Sequence, residues 1–141
     1  MLGIDVARTM IGWDENNDKS SIEGFLSDNA INGDISIDPS NIPWCSAFIN
    51  ACERSVGNKG TGRLNARSWI GMGTTVTLDN AQRGDIAIWD FEHDGTHGHV
   101  TYIDSIADDQ STVTCLGGNQ SNSVKDSTYN AGSLVSIQRT S

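Results

Sequence analysis

Apolar and polar positions keep a helical rhythm over the first half of this chain and a strand rhythm from about residue 84 onward. Ile4, Ala7 and Ile11 recur at helical spacing, which predicts a short amphipathic helix ending at Gly12. A polar loop, Trp13 to Ser20, leads to a second short helix marked by Ile22, Phe25 and Leu26. Residues 27–40 read as a polar connection. Cys45, Phe48, Ile49, Cys52 and Val56 then fall on one face of a central helix. Ser40 or Asn41 can cap that helix, Pro43 suits its first turn and Gly57 is a natural stop. Ala47 and Ala51 leave it a narrow flank. Leu64, Ser68 and Met72 predict one more helix, broken by Gly71 and Gly73, and Thr74 to Leu78 a short extended piece.

Beyond Gly84-Asp85, the run Ile86 to Phe91 is apolar on both faces, as a central strand is. A loop over 92–98 leads to a second strand, His99 to Ile106. The turn 107–110 returns it into Ser111 to Leu116 and the sequence Gly117-Gly118-Asn119-Gln120. Val124 to Thr128 and Leu134 to Arg139 supply one or two further strands. Helices first and an antiparallel sheet second make an α+β domain, and 141 residues form one domain spanning 1–141.

The chain carries 9 basic and 18 acidic residues, a net charge of −9. That balance argues against nucleic acid or an anionic membrane as partner, because both require a basic footprint. No apolar run approaches the length of a membrane span, and no signal peptide is visible, so synthesis in a cytoplasm is expected. The 3 cysteines, at 45, 52 and 115, are odd in number and widely spaced, which favours reduced thiols over a disulfide framework. Asp14, Asn16 and Asp18 alternate like calcium ligands. Lys19 stands where such a loop needs glycine and Phe25 where it needs glutamate, so a solvated turn capping the next helix accounts for them.

The candidate chemistry starts at Cys45. A thiol in the first turn of a helix feels the positive end of the dipole, which favours thiolate and makes a nucleophile. Such a nucleophile needs a base and a group that orients the base. His99 opens a strand directly after a glycine-bearing loop. Counting back through the turn at Asp108 and Asp109 sets position 99 opposite 118 or 119, so the Asn119 carbonyl can accept from one ring nitrogen and leave the other for sulfur. Gln120 competes for that role, but strand alternation points it to the opposite face. Cys52 and Trp89 are expected in the core. Cys115 is read as a packing residue, and Trp44, beside the nucleophile, as the tryptophan to test as a substrate wall.

Five segments occur here in a telling order. They are Pro43-Trp44-Cys45-Ser46-Ala47-Phe48, Gly60-Thr61-Gly62 before Ala66-Arg67-Ser68-Trp69, Gly84-Asp85-Ile86, Gly98-His99-Val100 and Leu116-Gly117-Gly118-Asn119-Gln120. Together they resemble a group of papain-like cell-wall peptidases related to the NlpC-type and CHAP amidase/endopeptidase domains, many of them phage endolysins. The resemblance covers about residues 5–139. It implies a papain-like fold, a peptidoglycan substrate, no cofactor, and a triad of Cys45 as nucleophile, His99 as base and Asn119 as orienting residue. It also implies a monomeric lysin that reaches the wall after release from the cell that makes it. Many relatives have Asp before the cysteine where this chain has Trp44, which leaves the second oxyanion donor open.

Two other readings compete. His93, His97 and His99, with Asp90 or Asp94, could hold zinc, although a polar His/Asp/Gly loop is more often simply solvated. A non-catalytic wall-binding or virion module could keep the same fold. The intact Cys/His/Asn set counts against that second alternative.

Overall fold

The computed structural model describes residues 2–28, 44–95 and 98–140. Among these residues three helices, α1 (Gly3–Arg8), α2 (Lys19–Asp28) and α3 (Cys45–Ser55), precede a six-stranded antiparallel sheet. Its strands are β1 (Thr74–Thr75), β2 (Ile86–Trp89), β3 (His99–Ile106), β4 (Thr112–Gln120), β5 (Ser123–Asn130) and β6 (Leu134–Arg139). They lie in the order β1-β6-β2-β3-β4-β5. This is the α+β arrangement read from the sequence, with the Cys45 helix laid on the sheet.

Strand alternation splits the apolar side chains between the two faces. Ile86, Ile88, Val100, Tyr102 and Leu116 pack with Phe48, Ile49 and Cys52 of α3 and Ile4 and Ala7 of α1. Ala87, Trp89, Ile103, Val113, Cys115 and Ile137 form a second cluster on the far face, against Val76, Leu78 and Leu134. The helix approaches the sheet most closely at Gly118. A Cβ built there would lie 2.6 Å from Cζ3 of Trp44 and 2.8 Å from Cβ and Cγ of Phe48. The narrow flank of Ala47 and Ala51 is thus matched by a missing side chain on the strand beneath.

Below the first turn, α3 carries two buried polar anchors. Asn50 Oδ1 accepts from the N–H groups of Thr61 (2.7 Å) and Gly62 (3.0 Å), and its Nδ2 donates to the Arg63 carbonyl at 3.1 Å. Gly60, at φ +69°, passes so close that a Cβ would meet Asn50 Oδ1 at 2.3 Å. Glu53 accepts from Tyr102 Oη at 2.8 Å and from Thr140 near the far end of the chain. Buried polar groups of this kind are favourable only when satisfied, and these are.

Two helical expectations are corrected. The segment 64–72 forms only a 3-10 turn, Ala66–Trp69. Trp69 is drawn inward, its indole N–H donating to Ser46 Oγ at 3.0 Å, and Asn65 and Ile70 on either side are extended. Gly71 and Gly73 then take positive φ, a backbone that L side chains resist. The first helix stops at Arg8 rather than Ile11, and a turn carries the chain to Gly12. Ser40, Asn41 and Pro43, read as the cap and first turn of the central helix, lie outside the described residues. Helix α3 begins at Cys45, preceded by Trp44 with no side-chain cap.

Candidate active site

Cys45 is the first helical residue of α3, and its side chain is buried, with the residue 5% exposed. The helix lies across β3 and β4 so that this end meets the start of β3. The ladder between β3 and β4 begins only at Tyr102–Leu116. Two residues earlier, the N–H of Val100 is directed at the Cys45 sulfur, joined by the N–H groups of Ser46 and of Cys45 itself. Burial pushes the thiol above its ordinary value, and these N–H groups offset only part of that. Burial therefore works against the thiolate that the head of a helix favours.

His99 precedes Val100 and opens β3, opposite Trp89 of β2. Its ring is half-buried on the far face of the sheet, among Phe91 and Tyr129, each with its centroid 6.1 Å away. Burial holds the imidazole below its ordinary pKa, with a hydrogen bond to Gln120 pulling weakly upward. The ring is thus neutral near pH 7, and its tautomer decides what it can do.

That tautomer follows from the partners of Gln120. The Gln120 Nε2 donates to the Lys125 carbonyl at 2.5 Å, which fixes which end of the amide is nitrogen. Its Oε1 then faces His99 Nε2 at 3.2 Å and the Tyr129 hydroxyl at 2.6 Å. A carbonyl oxygen only accepts, so His99 Nε2 carries the hydrogen and donates it to Gln120. Nδ1 is left with the free lone pair, the form a general base requires.

The sequence count predicts Asn119 in this place, and the structure puts Gln120 there. Gly117 pairs with Lys125 and Gln120 with Ser123, so Gly118 and Asn119 together stand opposite Val124 alone. This is a β-bulge, with Asn119 at φ +57°. Gly117 faces Thr101 and Gly118 faces α3, so regular alternation would have sent residue 119 to the His99 side. The extra residue shifts the alternation by one and hands the position to Gln120. The count that put 99 opposite 119 agrees with the Tyr102–Leu116 register; the bulge was not visible to it.

Trp44 is not a substrate wall. It is fully buried, packed on Gly118 and edge-on to Phe48 with centroids 6.0 Å apart, so no ligand reaches it from solvent. The aromatic residue exposed beside His99 is Phe91, 44% accessible and stacked on buried Trp89 at 5.9 Å. Trp89 lies in the core, as expected, its indole N–H donating to Thr101 Oγ1 at 3.0 Å. Cys52 and Cys115 are also buried, and all three thiols are free.

The Asp14–Asp18 loop is a self-capped turn ahead of α2. Asp14 Oδ1 accepts from the N–H groups of Asn16 (2.8 Å) and Asn17 (3.2 Å), and Asp18 Oδ2 from that of Asp14 at 3.0 Å. Of the zinc alternative, His97 lies outside the described residues and His93 is exposed in a turn at φ +53°. Asp90 is engaged by Arg67 at 2.6 Å and by the N–H groups of Asp94 and Gly95. Among the described residues no group of His, Cys, Asp and Glu is arranged to hold a metal.

Strand alternation in the sequence points Gln120 away from His99, and nothing in the sequence singles out Tyr129 or Phe91. An aromatic residue on a strand ordinarily reads as core, and only the fold shows these two flanking the imidazole. Compared with known protein families, residues 37–119 match the CHAP domain. No curated protein sequence matches the chain.

Proposed function

This chain belongs to the CHAP domain family, papain-like cysteine-dependent amidases and peptidases of the bacterial cell wall, and from that premise we propose that it hydrolyses peptidoglycan through Cys45, His99 and Gln120. The observation that carries the assignment of roles is the hydrogen bond from His99 Nε2 to Gln120 Oε1, at the strand end where Val100 meets the Cys45 sulfur.

In this reading His99 Nδ1 takes the thiol proton as Cys45 attacks an amide carbonyl of the wall. Sulfur and base both start neutral, so the ion pair forms during attack. The Cys45 backbone N–H steadies the negative oxygen of the tetrahedral intermediate, a contact whose removal in comparable sites costs on the order of 10²–10³ in rate. The imidazolium gives its proton to the departing amine, leaving a thioester. It then activates water, which releases the acid and restores the thiol. Gln120 accepts from Nε2–H throughout and stabilises the positive ring as it forms.

The bond cut is either the amide joining sugar to peptide or a bond within the peptide. The resemblance to a group rich in phage endolysins supports a role in phage lysis. Zymography and mass spectrometry of digested sacculi test both the activity and the bond. Clearing by wild type, lost in folded Cys45→Ser and His99→Ala, is the expected result. Undiminished clearing by Cys45→Ser overturns the assignment, and absence of clearing by wild type favours a wall-binding module.

A further inference from the structure

A glutamine is a poor orienting residue unless something orients it. It has three rotatable bonds, and its amide can present oxygen or nitrogen to the same neighbour. The Lys125 carbonyl restrains the nitrogen end of Gln120. The oxygen end is restrained by the Tyr129 hydroxyl, which donates to Oε1 at 2.6 Å beside the longer 3.2 Å bond from His99. Lys125 thus determines which atom is the oxygen, and Tyr129 determines where that oxygen sits.

The phenol is itself held. Its ring lies 4.7 Å from that of Phe91 at 52° and 5.3 Å from that of Trp89 at 60°. Trp89 is locked in turn by its bond to Thr101. Tyr129 meets the imidazole edge-on at 89°, with no hydrogen bond between the two rings. The hydrogen-bonded route from its hydroxyl to His99 therefore runs through Gln120. We propose that Tyr129 is a positioning residue which, by holding the Gln120 amide oxygen on His99 Nε2, keeps the imidazole in the tautomer that leaves Nδ1 free for the Cys45 proton. The proposal rests on the roles given above to Cys45 and His99.

Tyr129→Phe in the full chain is the test, since it removes one oxygen and keeps the ring packed on Phe91 and Trp89. Nitrogen-15 NMR of the imidazoles should show His99 as a single Nε2–H tautomer in the wild type and as a mixture in Tyr129→Phe. On soluble wall fragments kcat should fall about tenfold with KM unchanged. Alkylation of Cys45 by iodoacetamide near neutral pH should slow by a similar factor. An unchanged tautomer overturns the proposal, whether kcat is unchanged or falls only in step with thermal stability, because Tyr129 is then a packing residue. The NMR and alkylation comparison needs no wall substrate. A wild type that cuts no peptidoglycan would defeat the hydrolase reading while these two measurements still decided the role of Tyr129.

Discussion

The backbone N–H of Val100 is directed at the sulfur of Cys45, so the residue that follows His99 in the strand is also the one that meets the proposed nucleophile. Strand β3 therefore fixes both members of the pair through two consecutive residues, and the helix needs only to deliver the thiol to that point.

Burial raises the Cys45 thiol more than its three N–H neighbours lower it. Iodoacetamide labelling of the native protein should accordingly climb with pH and reach its midpoint above that of a free cysteine. A preformed thiolate–imidazolium pair would instead give a plateau extending to acid pH. Cys52 and Cys115 are 0% exposed whereas Cys45 keeps 5% of its surface open, so label should enter first at Cys45, and peptide mapping checks the site.

His99 behaves in the opposite sense. Burial disfavours its charged form, so the group takes up a proton only at a pH below its ordinary value of 6.5. The acid limb of kcat/KM should lie below that value, since activity ends when the base is protonated. Because the folded pKa is depressed, the related contribution to stability is present above the unfolded value and is lost as pH falls through the folded one. Gln120→Leu keeps the site apolar and removes the hydrogen bond that pulls the pKa upward. The limb should move to still lower pH, as a pH–rate profile would record.

Asn119 and Gln120 make a decisive pair of substitutions. Gln120→Ala should lower kcat on the order of 10²-fold, because the imidazole loses what fixes its tautomer. Asn119→Gly suits the left-handed backbone at φ +57° and should keep near-wild-type activity and stability. A large loss with Asn119→Gly and none with Gln120→Ala would reverse the assignment.

Gly118→Ala should destabilise the protein by about 1–3 kcal/mol in urea unfolding, since the new methyl group would press into Trp44 and Phe48. An unchanged denaturation midpoint would mean that the helix can lift off the sheet at little cost.

The sequence points to Cys45 and His99 as candidates and hides how the structure surrounds them. Cys45 announces itself by standing at the head of an apolar helical face, and His99 by opening a strand after a glycine. The hairpin between β3 and β4 could be counted because both strands alternate cleanly on either side of a short turn. What alternation cannot reveal is an unpaired residue, and nothing in Gly117-Gly118-Asn119-Gln120 says where the pleat slips. Trp44 misled for a related reason. A tryptophan next to a nucleophile reads as a ligand contact until the side-chain-free position that receives it, Gly118, is located in space. The segment from Leu64 shows a helical spacing of apolar residues, but the buried anchoring of Trp69 on Ser46 overrides it.

The slip at Gly118–Asn119 also bears on how chains of this family should be compared. The number of residues separating the histidine from its amide partner is no fixed ruler, because a single inserted or deleted residue in the strand swaps which neighbour supplies the amide while the backbone ends where it did. The amide partner of the histidine is better found from the strand opposite, as the side chain that reaches the carbonyl one residue beyond the one facing the kink, here Lys125 next to Val124.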